Sequence, residues 1–499
     1  MTPSTHWFER ADVDRLAKIT DPHFAKALEA QSAPGIAYGV MLNGELLHFA
    51  GIGVSSIKGG QSPHERTAFR IASMTKSFTA ATVLNLRDQD ALSLDMPVVG
   101  FVPELAAGGA AAREITVRHL LTMGGGFLTD DPWGDRQQDL PIDDLRALLA
   151  SGVTSTLPPG DQFEYSNLGY ALLGLVVSAV TGQSYPDAVR TRVLEPLGLS
   201  DSGYAATDLA TDTVASGYVR RSSGWHEEPI AASGAFSPMG GLLSTVADLA
   251  RWVGFFQSDG ELAQILSPVS LREMQRTQRL IGASAARDAG QPPDVFGYGF
   301  GLFEEFHAWG RSVFHSGGYP GFGSHMRWHP ASGLAVVALA NGTYAPMSTV
   351  SVAALADLVT QTDAPVKRPA VDLPGLNAAV DAVRTWLASD DPDGAEGKAL
   401  RGLWADNVER DLPWDERVAA WEALRREHGS MHQIAGSERR PSPGAVTWDM
   451  APDGATEPVT PCVRVMVMVS PHDQSLVQSV TLRPVPAGQP APVPVTDVS

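Results

Sequence analysis

Apolar residues recur at helical spacing near the start of the chain, at Val13, Leu16, Ile19, Phe24, Ala27 and Leu28, and predict a helix over 9–30. Two apolar runs follow, 36–42 and 45–50, separated by Asn43-Gly44. Asn-Gly between apolar runs is the strongest short-range hairpin signal, because both residues tolerate the positive φ that a tight turn needs. Phe78, Ala81, Val83, Leu84 and Leu86 predict a buried helix. From about 80 to 260 the pattern is mainly helical and rich in loops. Its helices fall at 117–121, 168–181 and 243–256, the last with a capped start at Ser244-Thr245-Val246-Ala247-Asp248. Glycines at 124–126 and 240–241 interrupt it, and 124–137 reads as a long functional loop. Strand character returns at 300–303, 311–315, 324–328 and 334–340, and a helix over 347–360 closes this part. The order predicts an α/β (α+β) fold: an antiparallel sheet flanked by helices, with a helical lobe inserted.

This first domain is expected to span 1–362. A Pro-rich linker over 363–374 separates it from an accessory α+β domain over 375–485, helical to 428 and strand-forming over 446–484. The Pro/Ala/Val-rich end, 486–499, reads as a disordered tail. The stretch from Trp404-Ala405-Asp406-Asn407-Val408 to His428-Gly429, with Val446-Thr447-Trp448, faintly resembles the cystatin-like fold of small isomerase-type domains. That resemblance lends no catalytic residues. Trp404, Trp414 and Trp421 read as core, and the domain as a packing or lid element.

Composition narrows the function. The 499 residues suit two or three domains, and 43% hydrophobic with 19% charged residues is a globular balance. The formal charge of −19 and the lack of a basic run argue against nucleic-acid partners. The first ten residues carry no apolar core of the signal-peptide kind, and no segment is apolar enough to span a bilayer. The single cysteine, Cys462, excludes an intramolecular disulfide and a cysteine-rich zinc site, and reads as a small buried hydrophobe. A cytoplasmic location without membrane partners is expected; the oligomeric state is left open.

Candidate chemistry centres on Ser73-Met74-Thr75-Lys76, at the start of the buried helix. Residues three apart share a helix face, so Lys76 can reach the Ser73 hydroxyl. Ser73 then lies at a helix N-terminus, where free N–H groups favour a developing anion. A serine needs a neighbouring base to become a nucleophile, and a desolvated lysine can serve as one. A second Ser-x-x-Lys, Ser55 to Lys58, lies in a Gly-rich polar stretch with no apolar helix after it, and is expected to be a surface loop. Two further patterns occur once each: Tyr165-Ser166-Asn167 ahead of an apolar helix, and His315-Ser316-Gly317 at a strand end, followed by Gly318.

With Arg70-Ile71-Ala72-Ser73-Met74-Thr75-Lys76, Val117-Arg118-His119-Leu120-Leu121-Thr122 and Met239-Gly240-Gly241-Leu242-Leu243-Ser244, the chain resembles, over about 8–362, the serine superfamily of class C β-lactamases, penicillin-binding proteins and their esterase relatives. The resemblance implies Ser73 as nucleophile, Lys76 as its proton shuttle, and Tyr165 as general base, as phenolate or through Lys76. It implies Asn167 as holder of a substrate amide or ester oxygen, and His315 as a contact to substrate or Tyr165. The oxyanion hole would use the N–H groups of Ser73 and Gly318, with Gly317 beside them. The third motif departs from the Lys-Thr-Gly usual in β-lactamases and cell-wall peptidases. A mostly neutral histidine leaves no fixed carboxylate anchor, a variant familiar in the esterase, D-aminopeptidase and transesterase branches. The expected enzyme is a serine hydrolase acting on a small-molecule ester, amide or peptidyl substrate. Acyl transfer or peptide cyclisation through the same acyl-enzyme is the alternative. No cofactor is implied. Metal chemistry is not expected either: His325 and His329 fall on a predicted strand without a third ligand, and there is no Gly-x-Ser-x-Gly elbow, Walker A loop or His-Glu-x-x-His.

Overall fold

The computed structural model describes residues 10–211, 213–258, 265–284, 293–362, 373–454, 462–471 and 476–485. The chain divides into two compact units, Met1–Lys367 and Arg368–Ser499. The expected linker falls mostly, and the expected tail wholly, outside the described residues.

In the first unit, helix α1 (Arg10–Glu29) leads into strands β1 (Gly35–Leu42) and β2 (Glu45–Gly53). Asn43 (φ 51°) and Gly44 (φ 82°) are both left-handed, the backbone of the expected two-residue hairpin turn. After the helical lobe come β3 (Arg279–Ala283), β4 (Val295–Tyr298), β5 (Phe303–His307), β6 (Gly310–Tyr319), β7 (Phe322–Trp328) and β8 (Leu334–Ala340). They form one antiparallel sheet in the order β2-β1-β8-β7-β6-β5-β4-β3, with β1 and β8 in register from Ile36 against Ala340 to Leu42 against Leu334.

Strand alternation sorts the core into two layers. Ile36, Tyr38 and Val40 pack with Leu334, Val336 and Ala338 against Leu16 and Phe24 of α1 and Leu355 and Leu358 of the closing helix Met347–Gln361. Ala37, Met41, Ala335, Val337 and Leu339 face the opposite layer, where helix α2 (Thr75–Asp88) and helix Val246–Gln257 bring Phe78 and Trp252 into a stack with centroids 4.1 Å apart. That layer holds the Ser73 turn.

One expectation needs correction. Of the expected strand 300–303 only Phe303 belongs to β5, and residues 300–302 are in the turn between β4 and β5: Gly301 has φ +71°, and a Cβ there would lie 2.6 Å from the Lys76 carbonyl oxygen. Phe300 and Leu302 are apolar because the turn is buried against α2, so burial mimicked a strand signature. The second Ser-x-x-Lys lies in a loop, as expected, with Lys58 exposed and paired with Glu227 (2.8 Å), although Ser55 itself is buried and bonded to the Gln61 carbonyl (3.1 Å). Serine and lysine there point to different partners.

Arg327 on β7 is buried at 1% exposure. It donates to Glu305 and to Ser312 (2.6 Å), and its guanidinium lies 3.8 Å from the Phe314 ring centroid. Arg327→Met would leave the Glu305 carboxylate buried without its arginine, with only His307 (3.0 Å) beside it. It is expected to cost about 3–5 kcal/mol of stability, read as a lower denaturant midpoint at unchanged slope.

The second unit packs helices Pro374–Ala388, Ala395–Arg401 and Trp414–His428 with strands Met431–Gln433, Arg439–Ser442, Ala445–Pro452, Val463–Val469 and Val477–Pro484. Val463, Val465, Val467 and Val469 alternate inward onto Trp386, Trp421 and Trp448. Trp414 and Trp421 are buried as expected, Trp404 only partly. Cys462, expected to be buried, is half-buried beside Met431.

Candidate active site

The Ser73 turn is shaped by its backbone. Ala72 holds φ 48°, a left-handed conformation rare for a residue with a Cβ, and Ala72–Met74 form a 3₁₀ turn from which α2 runs on at Thr75. The nucleophile candidate thus lies just ahead of the α-helix proper, on a strained turn of the kind found at functional sites. Strand β6 lies directly against it. A Cβ on Gly317 would fall 2.3 Å from the Ile71 carbonyl oxygen, 2.2 Å from Ser324 Oγ and 3.0 Å from Ala72 Cβ. This close approach is the physical reason for glycine in the third motif. Gly317→Ala is expected to push β6 off the turn, cost about 1–3 kcal/mol of stability and lower kcat more than it raises KM; thermal melts and steady-state kinetics check it.

Lys76 is completely buried, and three acceptors surround its Nζ: Ser73 Oγ at 2.9 Å, Asn167 Oδ1 at 2.8 Å and the Met239 carbonyl at 2.9 Å. Each ammonium hydrogen has a partner, which fixes the side chain. Burial pushes the Lys76 pKa down to about 8, while the charges of Asp131, Asp135 and Asp130 hold it up. Nζ also lies 4.9 Å from the Tyr165 ring centroid and 5.6 Å from that of Tyr170. The Tyr165 phenol is raised well above its ordinary range by burial and then by Asp131; hydrogen bonding from Ser73 works against this. In the resting protein Tyr165 is therefore a neutral phenol and not a phenolate.

Asn167 is the first residue of helix Asn167–Thr181, whose N-cap is Ser166, accepting from Gly169 N–H at 3.1 Å. Its Oδ1 serves Lys76. Its Nδ2, which the resemblance assigns to a substrate oxygen, donates instead to Asp131 Oδ1 (2.8 Å), and the residue has no exposed surface. Asp130 accepts from the N–H groups of Asn167 (2.6 Å) and Leu168 (2.9 Å), covering the positive end of that helix. Asp135 accepts from the Tyr344 hydroxyl (2.7 Å), and burial pushes its carboxyl up to about 6. Tyr344, half exposed and left-handed (φ 50°), lies over Gly318: a Cβ there would be 2.6 Å from Tyr344 Cδ1.

His315 is buried at 1% exposure. Nδ1 meets the Ser316 carbonyl at 2.6 Å and Nε2 the Tyr298 hydroxyl at 3.5 Å; no hydrogen bond joins it to Tyr165 among the described residues. Burial first, then the Lys76 charge, drives its pKa down to about 3, so the ring is neutral. The structure therefore gathers Ser73, Lys76, Tyr165, Asn167, Gly317 and Gly318 around one point and sets His315 behind them as a neutral support.

His325 and His329 are each engaged by a neighbouring serine: His325 Nδ1 pairs with Ser316 Oγ and His329 Nδ1 with Ser332 Oγ, both at 2.8 Å. Asp294, Glu305 and His307 place ligand-type atoms close together, but Arg327 donates to both Glu305 and His307 and supplies a cation to that cluster.

The Beta-lactamase family model matches residues 20–361. The chain belongs to the Beta-lactamase family. Among related family members, penicillin-binding protein 4 of Amycolatopsis lactamdurans is 29% identical over 350 residues, 68% of this chain and 85% of that protein. Protein flp of Staphylococcus aureus (strain COL) is 27% identical over 322 residues, 63% of this chain and 61% of its own length, so the match leaves over a third of that relative uncovered. The fold is shared with the octameric penicillin-binding protein homologue from Pyrococcus abyssi (TM-score 0.60, 22% identity, 92% of this chain and 96% of that one). It is shared too with a class C β-lactamase in complex with cefoxitin (TM-score 0.57, 20% identity, 69% and 99%). The family match supports, in general terms, a serine-hydrolase mechanism through an acyl-enzyme. Within the first unit, sequence reading missed Asp130, Asp131, Asp135, Tyr344 and the Met239 carbonyl. The signal available for the first three was their place in the 124–137 loop.

Proposed function

We propose that this protein hydrolyses an ester or amide bond in a small-molecule or peptidyl substrate through an acyl group on Ser73. The observation that carries this reading is the buried Lys76 amine, bonded to Ser73 and lowered to about 8. A fraction of it is neutral at physiological pH and can take the serine proton. Ser73 Oγ then bonds to the carbonyl carbon, and the tetrahedral oxyanion is stabilised by N–H groups of the Ser73 turn and Gly318. The bond to the leaving oxygen or nitrogen breaks as that atom receives a proton relayed from Lys76 through the Tyr165 phenol. Water attacks the acyl-enzyme, its proton passes to the same pair, and the carboxylic acid leaves as Ser73 regains its hydrogen.

Neutral His315 supports esters and amides over substrates that need a fixed cation for a carboxylate. Steady-state turnover of p-nitrophenyl butyrate and of a penicillin tests the reading, with and without an added amine. Faster ester than penicillin turnover is expected. Faster penicillin turnover would replace the esterase or amidase assignment with lactam hydrolysis, and diversion of most acyl groups to the amine would replace hydrolysis with transfer.

A further inference from the structure

We propose that the second unit binds an aromatic carboxylate in a tryptophan-lined cavity. The proposal does not rest on the reading of Ser73, because every residue lining the cavity belongs to Arg368–Ser499.

The cavity has a volume of about 400 Å³, within the range of small-molecule sites. Val480 and Leu482 line it from Val477–Pro484, the outermost strand of the second unit's sheet, and Trp386, Leu400 and Trp414 line it from the three helices. Trp404, between the second and third of those helices, completes the aromatic wall. Packing fixes its rings. Trp414 Nε1–H donates to Asp393 (2.5 Å). A Cβ on Gly397 would fall 2.7 Å from Trp414 Cζ2, so glycine there lets helix Ala395–Arg401 close against the ring. The Arg417 guanidinium stands 5.4 Å from the Trp404 ring centroid.

Two observations point to the guest. The first is a set of donors without acceptors. Trp386 is 2% exposed, yet its Nε1–H has no hydrogen-bond partner, and the same holds for Trp404 Nε1–H and the Thr481 hydroxyl, both in the lining. Buried indole N–H groups ordinarily find an acceptor, as Trp414 does, and leaving one unpaired is costly. None of the three atoms touches solvent as the cavity stands; a guest seated among the rings brings the acceptor that water does not, with a slight turn of the indole edges. Trp421 Nε1 also lacks a partner, but Trp421 lies outside the lining and is not assigned to the site.

The second observation is charge. Arg417 commits three N–H groups to the carbonyls of Leu412 (2.9 Å), Val408 (2.9 Å) and Val480 (3.0 Å), and no carboxylate pairs with it among the described residues. Arg483, exposed at the rim, has neither a hydrogen bond nor an ion pair among them. The one acid of the lining, Asp411, is exposed and accepts from Asn407 Nδ2 (2.7 Å). Two guanidiniums against one carboxylate leave the lining positive, while walls of indole and leucine favour an apolar body. A flat ring bearing one carboxylate meets both demands, with the ring against the tryptophans and the oxygens toward the unpaired donors and the arginines.

The test is calorimetric titration of the full-length protein with 2-naphthylacetate and with 2-naphthylacetamide, which keeps the ring and loses the charge. The expected result is saturable binding of one acid per chain, with a Kd of about 0.1 mM or tighter. The acid should bind about tenfold or more tighter than the amide and weaken as salt is raised. Trp404→Phe keeps an aromatic ring and removes an N–H that bonds nothing in the free protein. It should leave the protein folded and weaken the acid by about threefold or more. Arg483→Gln, on an exposed side chain, should lower the preference for acid over amide. Either variant suffices should the other fail to fold. Neither heat nor a rise in melting temperature with the acid at about 1 mM would overturn the proposal, as would an acid bound no tighter than its amide. Binding that the folded variants leave unchanged would place the acid elsewhere, the Ser73 centre included, and overturn the cavity as its site.

Discussion

Ser73→Ala is expected to lower kcat by about 10,000-fold or more, the scale on which loss of the nucleophile acts in serine hydrolases, with little change in melting temperature. Ala72 is held left-handed, Gly317 allows β6 to press on Ile71 and Ala72, and Lys76 fixes the hydroxyl at 2.9 Å. All these contacts converge on one oxygen atom, the Ser73 hydroxyl. Alanine keeps the backbone and removes only that oxygen. Burst and steady-state kinetics of a p-nitrophenyl ester measure the effect; a loss of less than tenfold would mean that the bond is broken elsewhere.

The second large effect concerns Lys76. Lys76→Ala removes the base and leaves Asn167 Oδ1 and the Met239 carbonyl without their donor. A fall in kcat of about 100- to 10,000-fold is expected, the range of general-base contributions. The pH profile carries the mechanistic detail. The active form is the neutral amine, and burial lowers the Lys76 pKa from 10.5 to about 8. In the natural protein kcat/KM should therefore climb with pH below about 8 and level off above it. Asp131, Asp135 and Asp130 hold that value up, so Asp131→Asn should move the rising limb to lower pH. A limb at the ordinary lysine value of about 10.4, or one unmoved in Asp131→Asn, would remove Lys76 from the role of base.

Local signals gave much of this away and long-range ones did not. Asn43-Gly44 announced the first hairpin because its conformational demand is met by two adjacent residues. Ser73 and Lys76 were legible for the same reason, since helical spacing alone brings them together. The strand expected at 300–303 begins only at Phe303, because Phe300 and Leu302 are buried on a turn whose defining feature is one positive φ at Gly301, and apolar content cannot distinguish turn from strand. The aspartates escaped because Asp130 and Asp131 read as loop residues until folding sets them on the first turn of the helix that starts at Asn167. The roles of Asn167 and His315 depend likewise on which neighbours occupy their polar atoms. Asp131 and Tyr298 hold those places, and nothing in the local sequence names them.

The central claim is that Ser73 carries the acyl group. It is tested most directly by quenching the protein during turnover of p-nitrophenyl butyrate, weighing it intact, and mapping any added mass by peptide digestion. The account predicts a butyryl adduct on the peptide containing Ser73, absent from Ser73→Ala and persisting longer when the reaction is run at low pH. Turnover without an adduct, or an adduct on another residue that survives Ser73→Ala, would contradict it.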